Sequence, residues 1–387
     1  MVVLAALACA RPSTSAAPAP PGASKATSAP TGAPAVDRQA PIDLSGDLER
    51  LRDQAHIPAL AAIVLDAERT LAHGIAGVRR LGDDTPAALT DAFHLGSDTK
   101  AVTAYVAARL VDGGTITWAT TIAEALPELA KGMHAELRKA TLEQLLLHRA
   151  GLPADFQDAP LLEQLRDRPL VEQRTIVARA VLAAKPKHRP GTAFEYSNAG
   201  YIVAGAMLEA RTGKPWEELV GEHVLEPMAL RSCGFGPTAT MDRPDAVWAH
   251  AGEAPKYLAL AADNPAYLGP AGTLHCSLPD WAGFVRTQLV RDPKLLFADT
   301  WARLQRPVRL DGGGGYAMGW AVAELPWAKG VVLTHDGSNT MNYASAMLLI
   351  DRGIAVLAVS NAGDAAAQRT VVTTVVGLAQ RFTAPQR

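Results

Sequence analysis

Gly96-Ser97-Asp98-Thr99-Lys100 and, further along, Tyr196-Ser197-Asn198 decide how this chain reads; the S-x-x-K and Y-x-N patterns each occur once in its 387 residues. Ser97 opens the segment Lys100–Val111, where Val102, Val106 and Leu110 recur at helical spacing with Tyr105 nearby. Asp112-Gly113-Gly114 ends it. A serine at a helix start has an unpaired amide N–H and sits at the positive end of the helix dipole. Lys100 lies one turn on, on the same face. An ammonium there eases alkoxide formation, and a neutral amine there serves as a base. The same residues also describe a surface helix, with Ser97 as N-cap and Lys100 as a solvated charge.

Tyr196 and Asn198 follow the loop signal Pro190-Gly191 and open a second helix, Ala199–Thr212, closed by Gly213. A tyrosine that ordinarily ionises near pH ~10 becomes a proton relay to Ser97 if two nearby cations lower that value. Asn198 would hold a substrate carbonyl or fix Lys100. The alternative is a packed aromatic beside an N-cap. A third piece is His335-Asp336-Gly337 after the apolar run Val331–Thr334. A cation at a strand end followed by glycine admits a substrate close to the backbone, and the Ser338 amide would join that of Ser97 around an oxyanion. Otherwise His335 is a turn histidine.

Outward from these motifs, Leu48, Leu51 and His56 mark a short helix ending at Pro58, and Ala59–Leu65 and Thr70–Val78 read as strands. The stretch from Trp118 to Phe235 is mainly helical. It holds a capping box at Thr141-x-x-Gln144 and a helix over Val171–Ala184; a second box, Ser277-x-x-Asp280, opens a helix through Leu289. Strands return at Tyr316–Ala323, Gly330–Thr334, Tyr343–Ile350 and Ile354–Ser360, before a helix from Asp364 to Phe382. Strands at both ends and helices between predict an α/β chain of the α+β type. Its antiparallel sheet is built from both termini and flanked by helices, with a mainly helical lobe inserted. A cleft between sheet and lobe is the default site.

Composition narrows the function. With 48% hydrophobic residues the chain can bury a sizeable core, and a net charge of −2 from 37 basic and 39 acidic residues argues against nucleic acid as a partner. The cysteines Cys9, Cys233 and Cys276 form no C-x-x-C pair, and the ten histidines no H-E-x-x-H, so neither a disulfide framework nor a metal is expected. No cofactor is called for. Residues 1–10, MVVLAALACA, resemble a truncated signal peptide, with Ala6-Leu7-Ala8-Cys9 similar to a lipobox that would make Cys9 a lipidated membrane anchor. Residues 11–43 are rich in Pro, Ala and Ser and read as a disordered tether; the folded domain is expected over 44–387. Export to a bacterial periplasm or cell envelope follows if the leader is real.

Taken in order, these motifs resemble the serine β-lactamase and penicillin-recognising enzyme superfamily, in particular its class C-like branch of β-lactamases, D-alanyl-D-alanine carboxypeptidases and esterases. Leu145-Leu146-Leu147-His148-Arg149-Ala150-Gly151-Leu152-Pro153, Pro227-Met228-x-Leu230 and Gly269-Pro270-Ala271-Gly272 extend the likeness. The resemblance implies a β-lactamase/transpeptidase-like fold and an acyl-enzyme on Ser97, with proton transfer shared by Lys100 and Tyr196. Asn198, His335, Gly337 and Ser338 would bind substrate. His335 stands where class C β-lactamases have lysine, and a histidine of pKa ~6.5 is only partly charged at neutral pH. Asp336 stands where threonine is common and would repel a substrate carboxylate. Both departures favour a small ester, amide or D-amino-acid peptide over a β-lactam. A class C-like β-lactamase is the alternative, and a penicillin- or peptidoglycan-binding module that does not turn over is the alternative of another class.

Overall fold

The computed structural model describes residues 40–165, 167–311 and 313–384. Cys9, the leader-like segment and the tether up to Gln39 lie outside them. From the N-terminal part, Ile42–Asp43 (β1), Ala59–Asp66 (β2) and Thr70–Gly77 (β3) enter one sheet. From the C-terminal part come Val308–Arg309 (β4), Gly315–Ala317 (β5), Trp320–Ala323 (β6), Val332–Ser338 (β7), Tyr343–Leu349 (β8) and Ile354–Ser360 (β9). The order is β1-β3-β2-β9-β8-β7-β6-β5-β4, so the two ends of the chain meet where β2 pairs with β9, Ala61 opposite Val359 through Asp66 opposite Ile354. Every pairing is antiparallel except the short β1–β3 pair.

The central strands are apolar at nearly every position because both faces are covered. Along β2, Ala59, Ala61, Ile63 and Leu65 join one core, while Leu60, Ala62 and Val64 join another. The second core takes Leu48 from Ser45–Ala55 (α1) and, from the last helix, Val371, Val375 and Ala379. The first faces the helical part of the molecule, including Thr99–Asp112 (α2), Asn198–Thr212 (α3) and Leu278–Val290 (α4); the last helix is Ala365–Thr383 (α5). Fully burying one Leu, Ile or Val contributes roughly 1.5–3 kcal/mol, so this alternation fixes the register of β2 and β9.

Helices α2 and α3 are buried almost all round, as a helix at the centre of a large domain must be. Their first turns meet, which places Lys100 against Asn198. Ahead of α3 the chain forms several short helices and the longer Leu170–Ala183, the helix expected over Val171–Ala184. Thr141 and Gln144 make the expected reciprocal cap of Leu142–Leu146. Ser277 caps α4 through the Asp280 amide, but the Asp280 carboxylate turns to Ser232 instead of closing a box.

Four expectations are corrected. Tyr316–Ala323 is not one strand but the hairpin β5–β6, because Gly319 (φ 79°) turns the chain where a Cβ would lie 2.5 Å from Ala101 Cα of α2. The strand expected at Gly330–Thr334 begins at Val332 and runs through Ser338, so His335 lies inside it. Ile42 and Asp43, expected in the tether, pair with Ala72 and His73. Cys233 and Cys276 are disulfide-bonded across 43 residues. No sequence pattern announced that pair: Cys276 is carried beside Cys233 by Leu274–Ser277, which pairs with Gly234–Phe235.

Candidate active site

The Ala92–His94 strand belongs to a separate three-stranded sheet and leads into a tight turn, Gly96–Asp98, before α2 begins at Thr99. Ser97 therefore sits just ahead of the helix, not at its N-cap. Thr99 Oγ1 donates to Gly96 O at 2.6 Å and holds the turn. Two glycines let β7 press against it. A Cβ on Gly96 (φ 51°) would lie 2.2 Å from Ser338 N; one on Gly337 would lie 1.9 Å from Leu95 O and 2.8 Å from Ser97 N. Only this glycine contact brings the amides of Ser97 and Ser338 into one place.

Lys100 is wholly buried and makes three contacts through Nζ: Ser97 Oγ at 2.9 Å, Asn198 Oδ1 at 2.6 Å and the Ala271 carbonyl at 2.7 Å. The two carbonyl oxygens can only accept. A neutral amine gives them its two N–H bonds and keeps its lone pair for the Ser97 hydroxyl. Burial lowers the Lys100 pKa to about 7, against the pull of Asp155 and Asp98. Asn198 is itself oriented by Nδ2 donating to Asp155 Oδ1 at 2.7 Å.

Tyr196 is hydrogen-bonded to Ser97, and Lys100 Nζ lies 4.9 Å from its ring centroid. The expected lowering of its pKa does not occur. Burial pushes the phenol well above its ordinary value, Asp98, Asp155 and Asp336 add to this, and the Ser97 hydrogen bond only partly opposes them. Tyr196 is thus a neutral donor. His148 clamps its segment: the His148 carbonyl accepts from Glu195 N at 2.9 Å and Nδ1 from Ser197 N at 3.0 Å. The imidazole also stacks 4.3 Å from the Tyr196 ring.

His335 is not the expected cation. It is 6% exposed, and burial, followed by repulsion from Lys100, lowers its pKa to about 3. Its Nδ1 faces Asp336 O at 2.9 Å, and its Nε2 faces the Tyr316 hydroxyl at 3.3 Å. That pattern places the proton on Nδ1, with Nε2 accepting from the tyrosine. Asp336, next along the strand, faces the other way and bonds to Ser345 and Tyr343; burial raises its pKa. Asp98, 2% exposed, has no partner for either carboxylate oxygen among the described residues, and burial first, then Asp336, raises its pKa well above the usual range. No group of three or more His, Cys, Asp or Glu among the described residues is placed to hold a metal ion.

All seven residues singled out in the sequence thus converge: Ser97, Lys100, Tyr196, Asn198, His335, Gly337 and Ser338. Sequence reasoning missed Asp155, Asp98 and the Ala271 carbonyl, and did not count His148 among the site residues. His148 and Ala271 lie within stretches that carried the resemblance; Asp155 had no signal of its own.

The family model for beta-lactamase matches residues 44–381. The chain belongs to the beta-lactamase family. It is 24% identical over 331 residues to penicillin-binding protein 4 of Amycolatopsis lactamdurans, covering 82% of this chain and 84% of that protein. It is 23% identical over 213 residues to Protein flp of Staphylococcus aureus (strain MW2), covering 54% of this chain but only 41% of flp, less than half of that relative's length. The solved structure of EstCE1, described as a hydrolase with promiscuous acyltransferase activity, superposes with a TM-score of 0.73 at 20% identity, over 87% of this chain and 97% of that one. That likeness bears out the β-lactamase/transpeptidase-like fold.

Proposed function

We propose that the protein hydrolyses a small ester, amide or D-amino-acid peptide through an acyl-enzyme on Ser97, with uncharged esters the best substrates. The observation that carries this is the contact set of Lys100, buried, lowered to about pKa 7 and aimed at Ser97 Oγ. In acylation Ser97 Oγ bonds to the carbonyl carbon and its proton passes to Lys100 Nζ. The carbonyl oxygen becomes an oxyanion facing the Ser97 and Ser338 amides. Tyr196 donates its proton to the leaving alcohol or amine and is reprotonated from Lys100. Water then attacks the acyl carbon and gives its proton to Lys100 Nζ; the bond between the acyl carbon and Ser97 Oγ breaks, Oγ takes that proton back, and the acid departs.

Neutral His335 supports the substrate preference. An uncharged imidazole already engaged by Tyr316 offers no cation to a substrate carboxylate. This weighs against a dedicated β-lactamase, as the sequence argued for another reason. The likeness to penicillin-binding protein 4 over most of both chains favours slow acylation by penicillin as a second reading. The test is hydrolysis of p-nitrophenyl acetate against that of a penicillin and a D-Ala-D-Ala peptide, each with Ser97→Ala as control.

We also propose export to the cell envelope, through a lipid on Cys9. The leader-like segment and the Pro/Ala/Ser-rich stretch support it, and so does the Cys233–Cys276 bridge, since disulfides persist in oxidising compartments. Cys9→Ala should move the protein from the membrane to the soluble fraction of the expressing bacterium; an unchanged distribution contradicts anchoring.

A further inference from the structure

We infer that Asp263, working through His94 and Asn339, is a positioning residue that sets the spacing between the Ser97 and Ser338 amides; this rests on reading those amides as the oxyanion hole. His94 ends the strand that delivers the nucleophile turn and is 2% exposed. Its Nδ1 accepts from Gly96 N at 3.0 Å. A ring nitrogen that accepts carries no proton, so the N–H is on Nε2. Nε2 lies 2.5 Å from Asp263 Oδ1, a charge-type contact between side chains each 2% exposed, and makes no hydrogen bond of good geometry to any of the described residues.

The same oxygen, Asp263 Oδ1, accepts from Asn339 Nδ2 at 3.1 Å. Asn339 Oδ1 in turn takes Met341 N at 3.2 Å and Asn342 Nδ2 at 3.1 Å. Ser338 Oγ closes the loop by accepting from Thr340 N and donating to Asn342 O, both at 2.9 Å. The two ends of this chain of contacts are telling. Gly96 directly precedes Ser97, and Asn339 directly follows Ser338. One carboxylate oxygen therefore ties together the peptide before the first amide and the residue after the second. The neighbouring Asn264 adds a third tie, donating to Gly272 O at 2.8 Å, next to the Ala271 carbonyl that receives Lys100.

Burying a carboxylate against an imidazole is expensive, and such pairs earn little net stability. None of the hydrogen bonds described joins Asp263 or His94 to Ser97 Oγ, Lys100 or Tyr196, so neither residue touches the reacting atoms. Placing oxyanion donors is a task in which about 1 Å of error costs on the order of 10²-fold in rate. A single rigid anchor for both halves meets that demand.

The test compares His94→Asn, which keeps an acceptor near the Nδ1 position but does not reach Asp263, with His94→Gln, which reaches towards Asp263 but loses the acceptor for Gly96. Asp263→Asn and the double variant His94→Asn/Asp263→Asn are made alongside. The readouts are kcat and KM on p-nitrophenyl acetate, and the affinity of an arylboronic acid, whose tetrahedral adduct on Ser97 places an oxygen in the hole. Expected is a kcat loss of about 10–100-fold with KM within about threefold, and a parallel loss of boronate affinity. The double variant is expected to be no worse than the poorer single one, since both cut one link. Should the Asp263 variant not fold, Asn339→Ser cuts only the arm to Ser338 and is expected to shift kcat and boronate affinity the same way. Folded variants with both quantities within about twofold of wild type overturn the inference while leaving the oxyanion hole standing. A wild type that hydrolyses the ester through Ser97 yet does not bind the boronate overturns the oxyanion reading and the inference with it.

Discussion

At the residue scale the site depends on protons held where burial puts them. Lys100, lowered to about pKa 7 by desolvation, binds a proton below that pH and then has no lone pair for Ser97. The rate kcat/KM on a neutral ester should therefore fall as pH drops through about 7, approaching tenfold per unit, and level off above it. A flat profile from pH 5 to 8 would contradict Lys100 as the base. Tyr196→Phe should lose about 10²-fold in kcat, the usual scale for an acid–base group, without a shift of that limb, because the phenol stays protonated throughout. His335, lowered to about 3, is uncharged from pH 5 upward. The preference for a neutral over a carboxylate-bearing ester should then be constant across pH 5–8. His335→Lys should raise kcat/KM for the carboxylate-bearing ester relative to the neutral one; no change in that ratio would show that the position does not read charge.

Which residues mattered was legible at this scale, and their protonation was not. Ser97, Lys100, Tyr196 and Asn198 stand in two short patterns that survive any uncertainty about packing. The charge states of His335 and Tyr196 depend on desolvation, which a linear sequence does not carry. Sequence alone made His335 a partial cation and Tyr196 a phenol of lowered pKa; burial reverses both.

At the scale of elements the decisive contact is β7 against the nucleophile turn. A methyl group on Gly337 would lie 1.9 Å from Leu95 O, so Gly337→Ala must push the strand or the turn away. We expect a loss of kcat of at least about 10²-fold through the displaced oxyanion donors, in a protein whose far-UV circular dichroism is unchanged. Wild-type kcat in Gly337→Ala would refute the assigned contact. The long strands and helices were readable because their apolar runs and caps are local. The end of β7 was not: polar His335-Asp336-Gly337 resembles a turn, and only pairing to β8, Asp336 opposite Ser345 and Gly337 opposite Ala344, holds it extended.

At the scale of the whole molecule, β2 and β9 close the sheet from opposite ends of the chain, and the Cys233–Cys276 bridge secures the small sheet under the nucleophile turn. Phe93 pairs directly with Cys276. A bridge across 43 residues removes unfolded-state freedom amounting to about 2–4 kcal/mol. Cys233→Ser/Cys276→Ser should lower the denaturation midpoint accordingly, while Ser97 remains reactive in the folded fraction. An unchanged midpoint would mean that the two thiols are not bonded in solution. This tie was illegible because its partners are set by strand pairing, not by spacing.

The most direct measurement is stopped-flow release of p-nitrophenol from a short-chain ester, with intact-mass analysis of the same mixture and Ser97→Ala beside it. An acyl-enzyme on Ser97 gives a burst stoichiometric with enzyme, a transient mass increase equal to the acyl group, steady turnover afterwards, and none of these in Ser97→Ala. Turnover that persists in Ser97→Ala, or an acyl adduct carried on another residue, would contradict it.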